Sequence, residues 1–84
     1  MHPTDPLPDW LRQWRHEIGT RMRDARMHRN LTQEALAELV GVERRTILRI
    51  ELGLHSPSTD RILYIARALD VAPAELMPSA DEDE

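Results

Sequence analysis

The chain has 84 residues and no cysteine, so it can form neither a disulfide nor a cysteine-based metal site. No apolar run approaches the ~20 residues of a membrane-spanning helix. The opening residues Met1, His2, Pro3, Thr4, Asp5 and Pro6 lack the basic stretch and apolar core of a secretion signal. A cytoplasmic location, away from membranes, is expected. Lysine is absent too: all 11 basic residues are arginine, a usage that suggests a GC-rich bacterial genome and says nothing of function. His16, His28 and His55 lack the i, i+4 spacing of a helical zinc pair, so neither a metal nor another cofactor is expected. There is no nucleophile with its base, no phosphate-binding glycine loop and no clustered carboxylate pair. The sequence does not read as an enzyme.

A chain of this size with 40% hydrophobic residues supports one modest core. Dimerisation would reinforce such a core. The net charge is −4, but its distribution is uneven. Asp81, Glu82, Asp83 and Glu84 end the chain in a run that predicts a disordered acidic tail over 78–84. Such a tail either solubilises the protein or competes with nucleic-acid phosphates. From Arg12 to Leu76 the 11 arginines outnumber nine acids.

Prolines at positions 3, 6 and 8 predict an irregular segment over 1–8. Asp9 is placed to cap a helix from Trp10 to about Met27, with Gly19 as a candidate break. Asn30 suits the left-handed conformation that ends a helix. Further helices are expected at 32–40, 43–52 and 59–69, the last capped by Ser58 or Thr59. Pro73 opens a short fifth helix through Leu76. A single domain over 9–77 follows, with 9–16 as a helical extension and no internal repeat.

The segment from Thr32 to Gly53 carries the most information. Leu36 and Val40 share one helix face, and Ile47 and Ile50 share another. With Val42 these are the expected inward positions. Ala37 suits the closest approach of two helices. Gly41 falls in the turn, where φ is expected to be positive. Thr32 is a good N-cap, although Ala35 at the third position leaves the capping box incomplete. Two short helices joined by a tight turn form a helix-turn-helix. On the outer side of the second helix lie Arg44, Arg45, Leu48 and Arg49. Arginine donates two parallel hydrogen bonds to guanine or grips a phosphate. A charged face is often merely solvated. Set beside this turn, it favours contact with double-stranded DNA.

Many residues in order resemble the phage Cro/repressor (XRE-type) helix-turn-helix family. They are Ile18 and Gly19, Arg21 to Arg23, Arg26, Leu31 to Ala37, Gly41 and Val42, Thr46 and Ile47, and Arg49 to Glu51 with Gly53. Pro57, Ile62, Leu63, Ile65, Ala66, Ala68, Leu69 and Val71 resemble its later helices. The resemblance covers 17–77. It implies an all-α fold, a compact five-helix lambda-repressor-like bundle, here with an N-terminal helical extension. It also implies sequence-specific DNA binding as a homodimer that regulates transcription.

By that resemblance, Arg44, Arg45, Leu48 and Arg49 contact bases. Gln33 contacts a phosphate, with Thr32 beside it at the start of the same helix, and Thr46 lies near the backbone. His55, in a loop on the same side, either touches a phosphate or is simply solvated. Arg26 and Glu51 match a buried ion pair. Spacing supports this independently, since Arg26 follows Met22 by four residues and Glu51 follows Ile47 by four, both on apolar faces. Charges there are expected to be paired.

Three positions depart from the family pattern. Glu43 stands where Ser or Thr is common. Leu52 and Leu54 replace polar or basic residues, and Leu54 is expected to close the core. In the extension, Trp10 and Trp14 lie four apart with Leu11 between them. They either form a partner interface with Leu76 and Met77 nearby, or pack back on the fifth helix. The extension supports an alternative function, a protein-interaction module of antitoxin or co-regulator type.

Overall fold

The structure, a computed structural model, describes residues 6–79. The acidic run at 81–84 lies outside the described residues. Four α-helices follow one another: α1 (Asp9–His28), α2 (Gln33–Val40), α3 (Arg44–Glu51) and α4 (Thr59–Leu69). A 3₁₀ turn, Pro73–Leu76, closes the order, and no strand occurs among the described residues. The expected fifth helix is therefore a 3₁₀ turn. Its four residues are too few for a regular i→i−4 ladder. The Glu75 carboxylate accepts the Ala72 N–H at 3.0 Å and secures the start of the turn.

Helix α1 differs from expectation at two places. Pro8 occupies the N-cap, and Asp9 is the first helical residue, its carboxylate paired with Arg12 and not capping. Gly19 does not break the helix. It is buried where α1 crosses the end of α3, and an added Cβ would lie 2.5 Å from the Glu51 carbonyl oxygen. Past His28 the chain reverses at Asn30, whose φ is 59°. There the Leu31 N–H donates to the Arg26 carbonyl at 3.1 Å.

The later boundaries follow local chemistry. The Thr32 hydroxyl accepts the Ala35 N–H at 3.0 Å, which satisfies one of the free donors at the α2 start. Gly41, at φ 82°, ends α2 and lets Val42 donate back to Ala37 at 3.0 Å. Ser58 is the cap of α4, accepting the Arg61 N–H at 3.1 Å. Asp70 ends α4 in the left-handed region at φ 59°, a position that the pattern of apolar residues does not reveal.

The core consists of Met22, Leu36, Ala37, Ile47, Ile50, Ile65, Ala66, Leu69 and Leu76. Burying each large aliphatic side chain contributes about 1.5–3 kcal/mol. Val40 and Val42, expected inside, are half-buried at its edge. Leu54 does not close the core. Gly53, at φ 77°, turns the chain against the His16 backbone, and Leu54 beyond it is left 60% exposed. No helix among the described residues is long and apolar enough to cross a membrane.

Candidate nucleic-acid interface

Helix α3 is divided lengthwise. Ile47, Ile50 and Glu51 are buried. Arg45 and Arg49 are exposed on the opposite side and Arg44 is exposed toward the Glu51 border, and none of the three has an ion-pair partner among the described residues. Leu48 is half-buried between Arg44 and Arg45, and Thr46 is half-buried on the border beyond Arg49. Three uncompensated guanidinium groups thus project from one short helix. An α-helix with its side chains is ~10–12 Å across, which fits a major groove of ~12 Å width.

One buried ion pair fixes the helix from behind. Arg26 Nε donates to Glu51 Oε2 at 2.6 Å, and Arg26 Nη2 donates to Oε1 at 3.1 Å. Arg26 Nη1 donates to the Leu31 carbonyl at 2.7 Å, tying in the α1–α2 turn. The Gln33 side-chain amide donates to Glu51 Oε1 at 3.0 Å. Both oxygens of the Glu51 carboxylate are therefore held, and α1, α2 and α3 meet at one charge. The two partners' side chains are 10% and 2% exposed, so leaving either unpaired would be costly.

Gln33 thus has a structural duty that its sequence position did not reveal. Its bond to Glu51 spans 18 residues, and no periodicity rule reaches that far. Its backbone N–H and that of Glu34 lie at the α2 N-terminus, where helix geometry leaves donors free for an anion. Thr32 stands beside them with its hydroxyl oxygen already engaged by the cap. Glu43 is the extended N-cap of α3, and its carboxylate makes no capping hydrogen bond. His55 is half-buried in the loop after α3. No cluster of His, Cys, Asp or Glu among the described residues is arranged to hold a metal ion.

The extension carries an aromatic pair. Trp10 and Trp14 pack edge to face, with centroids 5.3 Å apart and planes at 77°. They remain 56% and 44% exposed, and Leu11 is half-buried. Leu76 belongs to no surface: it is 2% exposed because it plugs the core beneath the 3₁₀ turn. Met77, next in sequence, is exposed.

The model of the helix-turn-helix family matches residues 22–76, which contain the whole of α2, α3 and α4. The chain belongs to the Cro/repressor-type helix-turn-helix family. It is 47% identical over 66 residues to an uncharacterized HTH-type transcriptional regulator of Methanothermobacter thermautotrophicus, covering 79% of this chain and 96% of that one. The restriction-modification controller protein C.AhdI of Aeromonas hydrophila has the same fold with a TM-score of 0.73. It is 38% identical, with 75% of this chain and 96% of that one covered. The DNA-binding domain of the P22 c2 repressor superposes with a TM-score of 0.68 at 30% identity, covering 70% and 78% of the two chains. This helix-turn-helix protein is a DNA-binding transcriptional regulator.

Proposed function

We propose that this regulator binds a specific inverted-repeat sequence as a homodimer, inserting α3 of each protomer into successive major grooves ~34 Å apart. Arg44, Arg45 and Arg49 read base edges, with guanine favoured, and Leu48 touches a thymine methyl. The α2 N-terminus at Thr32 and Gln33 grips phosphate, aided by Thr46 and His55. The observation that carries this reading is the trio of unpaired arginines on α3, aimed away from a core that Arg26 and Glu51 lock in place. The role needs no catalysis, cofactor or membrane, and it belongs in the cytoplasm.

A second reading rests on the exposed Trp10–Trp14 pair. Tryptophan is enriched at interface hot spots. In that reading a protein partner docks on Trp10, Leu11 and Trp14, with Met77 as a further apolar contact.

One pull-down of genomic fragments at two salt concentrations separates the two. The probes are the wild type and an Arg44→Ala/Arg45→Ala/Arg49→Ala variant. Enrichment of one inverted repeat, lost in the variant and weakened steeply by salt, is the expected result. Weak, even recovery of all fragments would reject a specific operator and favour the protein-partner reading.

A further inference from the structure

Helix α4 has an outward face that the core and the DNA site leave unused. Ile65, Ala66 and Leu69 are buried on its inner side. Directly opposite lie Asp60, Leu63, Tyr64 and Arg67, which together line a shallow groove. Leu63 is 48% exposed and Tyr64 is 64% exposed. Asp60 and Arg67 are exposed, and neither has an ion-pair partner among the described residues. Seven residues of helix separate them by about 10.5 Å, too far to pair within one helix.

The arrangement is complementary to itself. An acid stands at one end, a base at the other, and two apolar side chains lie between. Two copies of α4 packed antiparallel about a two-fold axis between 63 and 64 would place Asp60 against the partner's Arg67, and Arg67 against the partner's Asp60. Leu63 would meet the partner's Tyr64, and Tyr64 the partner's Leu63. This reciprocity is what a two-fold interface requires. A parallel pairing would set acid on acid and base on base. Both charges also suit the helix dipole at their ends of α4, which accounts for their signs. The dipole does not account for the leucine and tyrosine exposed between them.

We propose that the outward face of α4 is the homodimer interface of this protein, with a second copy of the chain as its occupant. This rests on the homodimer reading above and names its surface. One helix face is small beside the ~800 Å² per partner of a standard interface. The dimer is therefore weak in free solution and completed on DNA.

The test is charge exchange at the two ends, read by sedimentation equilibrium. Circular dichroism confirms that the variants fold, since both sites lie outside the core. D60R sets two arginines against each other at each end of the interface, and R67D sets two aspartates. Each variant alone should self-associate at least ~10-fold more weakly than the wild type. Mixed in equal amounts, the two should form a heterodimer of near wild-type affinity, because the introduced charges are then complementary and the native pair is kept. Loss of folding or a shift of shape would not produce that rescue. Wild-type dimers that neither substitution weakens would overturn the α4 interface and leave the homodimer reading intact. A wild type that stays monomeric even on an inverted-repeat duplex would overturn both.

Discussion

Arg26 and Glu51 stand 25 residues apart and share two charge-assisted hydrogen bonds inside the bundle, joining the first helix to the end of the third. Removing one partner leaves the other as an uncompensated buried charge. Arg26→Ala or Glu51→Ala should each destabilise the fold by about 3–5 kcal/mol. In a domain of this size that lowers Tm by well over ~10 °C. Urea unfolding measures it, with the midpoint falling and the slope unchanged. Melting within about 2 °C of wild type for both variants would refute the claim that this pair organises the bundle.

Gly19 tests a conflict between two effects of known sign. Alanine in place of glycine inside a helix normally stabilises by roughly 1 kcal/mol. Here its Cβ would lie 2.5 Å from the Glu51 carbonyl oxygen, which is backbone and cannot rotate away. Overpacking of that kind costs about 1–3 kcal/mol, so Gly19→Ala should destabilise. The exposed neighbour Thr20, changed to Ala, should give a few tenths of a kcal/mol of stabilisation from propensity alone. If both variants gain stability, the α1–α3 approach is looser than described.

The parts of this fold that were readable in the sequence are those set by short-range rules. Leu36, Ile47 and Ile50 follow helical periodicity, and all three are buried. Thr32 and Gly41 are recognisable because capping and positive φ restrict the residue type. The Arg26–Glu51 pair was readable because a charge on an apolar face must find a partner. What failed depended on the path of the chain between distant segments. Gly19 looks the same whether it breaks a helix or admits a neighbouring backbone. Leu54 in its loop looks like core and is outside, whereas Leu76, a candidate for a partner surface, is inside. Asp9 fits the residue preference of a cap, but Pro8 occupies that position. At the candidate interface the arginine face was legible, whereas the Gln33–Glu51 bond depends on how α2 and α3 cross.

Glu43 is the departure with the plainest consequence. It holds the N-cap of α3 without a side-chain bond, and in the proposed docking it brings a carboxylate toward phosphate. Glu43→Ser should supply the missing cap and raise stability by about 1 kcal/mol. It should also tighten DNA binding several-fold, more so at low salt, where repulsion is least screened. Glu43→Gln separates the two effects, removing the charge without installing a short hydroxyl cap. Equal affinity of all three proteins across a salt series would show that position 43 stands clear of the phosphates.

The three arginines of α3 need not do the same work, and their separate removal distinguishes the roles. An arginine that grips a guanine edge contributes about 1–3 kcal/mol of discrimination, so its loss relaxes the preferred base at one operator position. An arginine that neutralises a phosphate weakens binding to every sequence alike and lowers the salt slope by about one. Arg45 and Arg49 lie nearest the middle of the exposed face, directly opposite Ile47 and Ile50, whereas Arg44 lies toward the Glu51 border. Arg45→Ala and Arg49→Ala should therefore relax specificity most, and Arg44→Ala, at the edge of the face, should relax it least. Binding-site selection with each variant, paired with titrations at several salt concentrations, reads both quantities. A uniform loss of affinity in all three, with the preferred sequence unchanged, would reassign the whole face to the phosphate backbone.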